Sequence, residues 1–352
     1  MTEAGKSSRQ YNRLQRQDRL AWGPEGSSDM SLDLEQAEPR GIEQRQVGTA
    51  RTRTWLLVIA AVAILAILAG NRPAGSSGES FASAGIDRID VHSSAARVII
   101  SPGAAGTVGV QLNRNARGHD LAVSQDGRTL DVRVTRNAWP PSFLTFNRTT
   151  VQITVPTPAA LDVNVDVASG GVEASDVNLG SAAFRSRSGG ISIDGVSAAG
   201  DLSLVTSSGG IRVSAVTVNG QLHAETSSGG VSLSDVIASD YRLGARSGRI
   251  SATGLTGGPL VADARSGGIS LAADTLLGDW QLSTGSGGVQ VSLDAAPQAM
   301  RVQYAGGSGG WTLAEGHGLD VTETGRNSFT AAQGQGGPLL QVSTGSGRFS
   351  LR

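Results

Sequence analysis

The chain has 352 residues, a formal net charge of −1, 49 glycines, no cysteine and a single lysine, Lys6. The near balance of 29 basic and 30 acidic residues argues against a nucleic-acid binder, which normally carries a net basic domain. Lack of cysteine excludes disulfides, thiolate metal sites and lipid-modified cysteines. One lysine near the N-terminus excludes P-loop and Schiff-base lysine chemistry from the rest of the chain.

Residues 1–54 hold nine Lys/Arg and eight Asp/Glu with few large apolar side chains. Such a segment cannot bury a core, and a mostly disordered tail is expected. Within it, residues 11–22 (YNRLQRQDRLAW) have the pattern of a short basic amphipathic helix. Residues 55–70 (WLLVIAAVAILAILAG) carry no charge. With Thr54 they reach the short end of the ~17–25 residues needed for a spanning helix. Arg45, Arg51 and Arg53 precede the segment and only Arg72 closely follows it. The positive-inside rule then places the N-terminus in the cytoplasm and residues 71–352 outside. A cleaved leader is the rival, but 54 residues precede the apolar core, and Asn71 stands where a lipoprotein box needs cysteine. The reading is an uncleaved single-pass anchor in a bacterial cytoplasmic membrane, with the C-terminal part periplasmic or extracellular. Residues 71–84 (NRPAGSSGESFASA) read as a flexible stalk.

Residues 85–160 are β-rich but irregular, with apolar alternation at 98–100, 108–110, 121–123, 130–134 and 151–155 and a hairpin signal at Asp126-Gly127. They are expected to form an N-terminal cap and first irregular coils. Ser93-Ser94-Ala95-Ala96-Arg97-Val98 is a degenerate copy of a repeat that occupies residues 161–352. There a Ser-Gly pair, then Gly or Arg, then an apolar residue recurs every 19 to 20 residues. The turn glycines are Gly170, Gly189, Gly209, Gly229, Gly248, Gly267, Gly287, Gly309 and Gly347. The 38-residue step before Gly347 predicts a worn copy at Arg326-Asn327-Ser328-Phe329, with Asn327 at the glycine position. Two and four residues after each glycine stand apolar pairs such as Ile191/Ile193 and Val231/Leu233, separated by polar residues. A second pair lies seven and five residues before it, as in Leu202/Leu204, and a third stripe seven after it runs through Val177, Val196, Val216, Val236 and Leu255. A fixed period with period-two strands inside it is the mark of a solenoid. The fold class is therefore all-β: a parallel β-solenoid of about nine or ten coils, behind one transmembrane helix and a disordered tail.

The run SGGVEASDV, RSGGISIDGV, SSGGIRVSAV and SSGGVSLSDV, preceded by VQITVPTPAALDVNVDV, resembles the bacterial putative-adhesin family of β-strand-repeat envelope domains. The resemblance covers about residues 85–352. It implies membrane tethering and a role of unknown detail at the envelope, with no catalytic residue to carry over.

Chemistry-bearing residues are sparse. His92, His119, His223 and His317 lack metal-ligand spacing, and no metal or other cofactor is implied. Asp162, Asn164 and Asp166 alternate on one strand face and would need Glu173 from the next coil to hold a cation. Ordinary outward polar residues are the simpler account. Arg187, Arg246 and Arg265 share one column two residues before the glycine, with Arg249 beside it. They are suited to carboxylates or phosphates, although pairing with nearby acids is favoured. Trp139, Phe143 and Phe146 cluster in a Pro-broken loop, as a plug for the solenoid end or a docking surface. Together these point to a non-enzymatic, membrane-anchored scaffold that contacts an envelope protein or glycan, with no nucleic acid. The alternative is envelope sensing through the cytoplasmic tail, and a polysaccharide-acting enzyme is the least favoured reading.

Overall fold

The computed structural model describes residues 77–113, 119–136, 149–158, 160–295, 297–314 and 318–352. The tail, the apolar segment 55–70 and the aromatic loop with Trp139, Phe143 and Phe146 lie outside the described residues. Among the described residues, no helix is long and apolar enough to cross a membrane.

The described residues form 26 strands in one continuous sheet and no α-helix. Each coil supplies one strand before the turn glycine and one after it. Strand Leu161–Val167 pairs in parallel with Asn178–Ser186, which pairs with Leu202–Thr206, and so on down the chain. After the turn, Val172–Ser175 pairs in parallel with Ile191–Asp194, and that with residues 211–214. Alternate residues of both ladders are buried: Ile191, Ile193, Leu202 and Leu204 are all at 2% exposure or less. The third stripe, Val177 through Leu255, closes the interior from the remaining side. Successive coils differ by one residue in length, and the slack is taken up at the corner far from the glycine. There the register between Ile211–Thr226 and Val231–Ala245 shifts from Val218 to Gln221. Close by, Asp162, Asp201 and Asp279 accept hydrogen bonds from the backbone N–H of Ser181, Gln221 and Leu339 on the neighbouring coil, at 2.8–2.9 Å.

Stack order departs from chain order at both ends. Strands Trp280–Thr284 and Val289–Leu293 pair with Leu339–Thr344 and Phe349–Leu351, the last strands of the chain. Those in turn pair with Met300–Gly306 and Trp311–Leu313. The C-terminal coil is thus wedged between its two predecessors. The same exchange occurs at the other end. Strands Arg88–Ser93 and Arg97–Gly103 lie between the coil of Leu161–Val167 and the coil built from Thr129–Arg136 and Thr150–Pro156. Nine coils bear the turn glycines and these two stack ahead of them, one beyond the upper expectation, with Ala96 at the glycine position of the inserted coil.

Two expectations are corrected. Ser328–Gln333 is not a coil: it runs antiparallel to Met300–Gly306 and to Asp320–Thr324. The 38-residue step therefore holds a capping hairpin, which covers an edge that would otherwise template association. Second, Ser77–Ala82, placed in the stalk, is a strand antiparallel to Thr107–Asn113, which itself covers Thr150–Pro156. The turn glycines are demanded by close backbone approach, since of the nine only Gly170 has a positive φ, 157°. The positive φ values of the repeat fall six residues later, at Asp176, Gly195, Ala215, Asp235 and Gly254. The hairpin signal at Asp126-Gly127 is realised between His119–Asp126 and Thr129–Arg136, with Gly127 at φ 58°.

A buried hydroxyl column runs inside the turn, three residues before the glycine. Thr226 is 1% exposed; its Oγ1 donates to the Gly209 carbonyl of the preceding coil at 2.8 Å and accepts the N–H of Gly229 at 3.0 Å. Thr206 and Ser186 repeat both bonds. At the terminal coil this position is Gly306, and the space is taken by the hydroxyl of Tyr304, 3.1 Å from Thr344 Oγ1. Leaving a buried donor and acceptor unmet costs about 1–3 kcal/mol. Thr226→Val is expected to destabilise by about that much and Thr226→Ser by much less, measured as the shift in urea midpoint.

Tyr241 is also buried, its hydroxyl 2.7 Å from both the Val236 and Thr256 carbonyls. Burial pushes its pKa from 10.0 up to about 12, against the smaller opposing effect of backbone hydrogen bonds. The folded state therefore favours the un-ionised phenol. This contribution is complete below pH 10 and is lost as pH rises towards 12. Wild type is expected to lose more stability than Tyr241→Phe across that window, read from thermal midpoints at each pH.

Candidate functional site

The Ser-Gly-Gly turn carries the chain from the first ladder to the second, and two glycine columns run along it. The first is forced by packing. A Cβ at Gly189 would lie 1.8 Å from the Gly170 carbonyl oxygen, and at Gly229 2.0 Å from that of Gly209. The second column is different. Going down the stack it reads Arg97, Gly171, Gly190, Gly210, Gly230, Arg249. A Cβ on those four glycines would stand 3.0–3.4 Å from the next coil's carbonyl oxygen. Arg249 and Arg348 occupy this column with side chains, so the backbone tolerates them.

Bare glycine here leaves a groove of about 1140 Å³. Its floor is the second glycine column. Ser169 and Ser188 form one wall, and Glu173, Ser192, Arg212, Ser232 and Ser251 the other. Arg97, Arg136, His119 and Thr149 close one end, and Arg249 stands at the other. Among the described lining residues only Glu173 brings a negative charge, and it is in an ion pair with Arg97. His119 Nδ1 lies 3.1 Å from Thr149 Oγ1. Arg212 and Arg249 are exposed and make no ion pair among the described residues.

All nine turn glycines sit at the groove-side corner. Arg187, Arg246 and Arg265 are exposed on its outer flank, one residue outside the serine column. Arg246 and Arg265 are on adjacent coils, whereas Arg187 lies three coils from Arg246, so the three do not form one cluster. The expected pairing with acids is corrected: among the described residues none of them is in an ion pair. The acids are used elsewhere, as with Asp162, Asp201 and Asp279 at the far corner. Sequence reasoning missed Arg97, Arg136 and Arg212 as groove residues. The interrupted polar column was the available signal, since Arg212 breaks its serines. The Asp162, Asn164, Asp166 and Glu173 set is not assembled: Asp162 caps Ser181, Asn164 donates to Asp90 at 2.8 Å, and Glu173 lies in the other ladder facing Arg97. Among the described residues no group of three or more His, Asp or Glu is placed to hold a metal.

Parallel coils turned on stacked glycines, capped by antiparallel strands at both ends, define an all-β solenoid. The chain belongs to the Toastrack DUF4097 family, whose model matches residues 86–352. No curated protein matches it in sequence. Among solved structures it is similar to a putative adhesin from Bacteroides fragilis, with 14% identity, a TM-score of 0.42, and 80% of this chain and 99% of that chain covered. A putative adhesin from Parabacteroides merdae gives 11% identity and a TM-score of 0.41 over 79% and 96%. A protein from Parabacteroides distasonis described as a putative lipid binding protein gives 14% identity and a TM-score of 0.43 over 79% and 97%.

Proposed function

We propose that this is a non-enzymatic, single-pass protein of the bacterial cytoplasmic membrane that presents its solenoid outside the membrane as an adhesin-like binding surface. The N-terminus lies in the cytoplasm, and the rod contacts an envelope protein or glycan. The observation that carries the reading is the bare second glycine column. It is a long recess at a column position that accepts arginine elsewhere in the stack, flanked by arginines with no ion-pair partner among the described residues. Membership of a family whose resemblance implies envelope tethering supports the placement, as does the arginine-flanked apolar segment 55–70. The test is in-cell cross-linking of the full-length chain, with each link mapped by mass spectrometry. Links from residues 161–352 to an envelope component are expected. Links confined to residues 1–54 and a cytoplasmic regulator would overturn the scaffold reading in favour of sensing through the tail.

A further inference from the structure

We infer that the groove over the second glycine column binds an acidic polysaccharide chain, lying along the stack with its carboxylates on the arginines. The inference rests on the scaffold reading and names its ligand.

Three observations converge. First, the floor is bare over four consecutive coils between Arg97 and Arg249, at a column position that carries an arginine side chain elsewhere in the stack. At about 4.8 Å per coil, that column is roughly 24 Å long, the reach of an extended oligosaccharide rather than of a single small metabolite. Second, the charge at the turn itself is one-sided. The turn and its flanks carry Arg187, Arg212, Arg246, Arg249 and Arg265 without an ion-pair partner among the described residues. Glu173, the one acid among the described groove-lining residues, is held by Arg97; the acids Asp166, Glu225 and Asp263 stand farther out, on the flat face two residues beyond the outer arginine column. Arginine offers a planar fork that matches a carboxylate with two parallel hydrogen bonds. Third, the neutral lining is largely serine hydroxyls and glycine backbone, with Ser169, Ser188, Ser192, Ser232 and Ser251 available to sugar hydroxyls. The described lining contains no aromatic ring on which a nucleobase would stack. Its apolar members, such as Ile191, Ile211 and Val231, are core residues at 2% exposure or less, so these described lining residues offer nothing to insert into a lipid surface.

The experiment uses the full-length chain in detergent micelles, immobilised, with sodium alginate as the probe and dextran as the neutral control. Alginate is expected to bind, and to weaken as salt rises; dextran is not. Arg212→Glu/Arg249→Glu is expected to weaken alginate binding by about tenfold or more for each arginine, as loss of a charge-assisted hydrogen bond does. Gly210→Trp, which fills the floor where a Cβ meets only an ordinary 3.4 Å contact, is expected to block binding with no change of charge. Thermal midpoints of both variants report whether they fold, and either folded variant suffices as a test. Absence of alginate binding, equal binding by a folded variant, or retention only on phosphatidylglycerol vesicles would overturn the inference. A rod that cross-links to envelope components in cells but fails these tests overturns the ligand class alone; a rod that does neither overturns the scaffold reading as well.

Discussion

Replacing Gly229 by alanine is expected to destabilise the solenoid by about 3 kcal/mol or more, whereas Gly210→Ala should cost about 1 kcal/mol or less. Both are glycines of the same Ser-Gly-Gly turns, one residue apart in the repeat. The difference lies in what a methyl group meets. At Gly229 it would stand 2.0 Å from the carbonyl oxygen of Gly209, 2.5 Å from its carbon and 2.7 Å from the nitrogen of Gly210. These are backbone atoms held in a parallel ladder, and moving them requires opening the stack on either side. At Gly210 the nearest atom is 3.4 Å away, an ordinary contact. The check is urea unfolding of each variant beside wild type, followed by far-ultraviolet circular dichroism. Equal midpoints for the two variants would remove the packing argument and return the glycines to a role in chain flexibility.

Deleting residues 339–352 is expected to do more than trim an end. Those residues form the coil wedged between Trp280–Leu293 and Met300–Leu313, so their loss strips both neighbours of a ladder partner. It also removes Phe349, fully buried and stacked 5.4 Å from Tyr304 and 6.2 Å from Phe329. Trp311 packs on Phe329 at 4.5 Å and depends on the same cluster. The truncated chain should lose near-ultraviolet dichroism and become protease-sensitive across residues 297–338, while coils nearer the middle stay folded because solenoid contacts are between neighbours. Phe349→Ala isolates the packing part, at about 3–5 kcal/mol. Protection of residues 297–338 in the truncated chain would show that the capping hairpin holds that end without the wedge.

Much of this architecture was legible in the chain. A repeat of fixed length with period-two apolar pairs has one economical solution, and the buried columns through Val172, Ile191, Ile211 and Val231 come from it directly. What escaped was of two kinds. Pairings that skip neighbours in the chain, such as Leu339–Thr344 between two earlier coils, leave no local trace. Each strand's pattern is the same whichever coil it stacks on, and the 38-residue step from Gly309 to Gly347, read as two periods with a worn repeat, holds a hairpin instead. The column Ser186, Thr206 and Thr226 was present in the sequence but nothing local marks it as buried, since hydroxyl residues next to a turn are usually exposed.

The candidate groove was half visible. Its glycines and the serines before them were the repeat itself, and Arg187, Arg246 and Arg265 were noticed because they share a column. Spacing along a chain says which residues share a column, but not which backbone atoms face them. Apolar periodicity and glycine are local signals, so the solenoid class, the coil length, the inward columns and the position of every turn glycine could all be read from the residues alone. Three features needed the folded chain. The first glycine of each pair is imposed by the carbonyl of the coil beside it while the second is far less constrained; the end coils exchange places; and the arginines around the turn other than Arg97 stand without ion-pair partners among the described residues. Each of those depends on distances across coils some 20 residues or more apart, which no local pattern encodes.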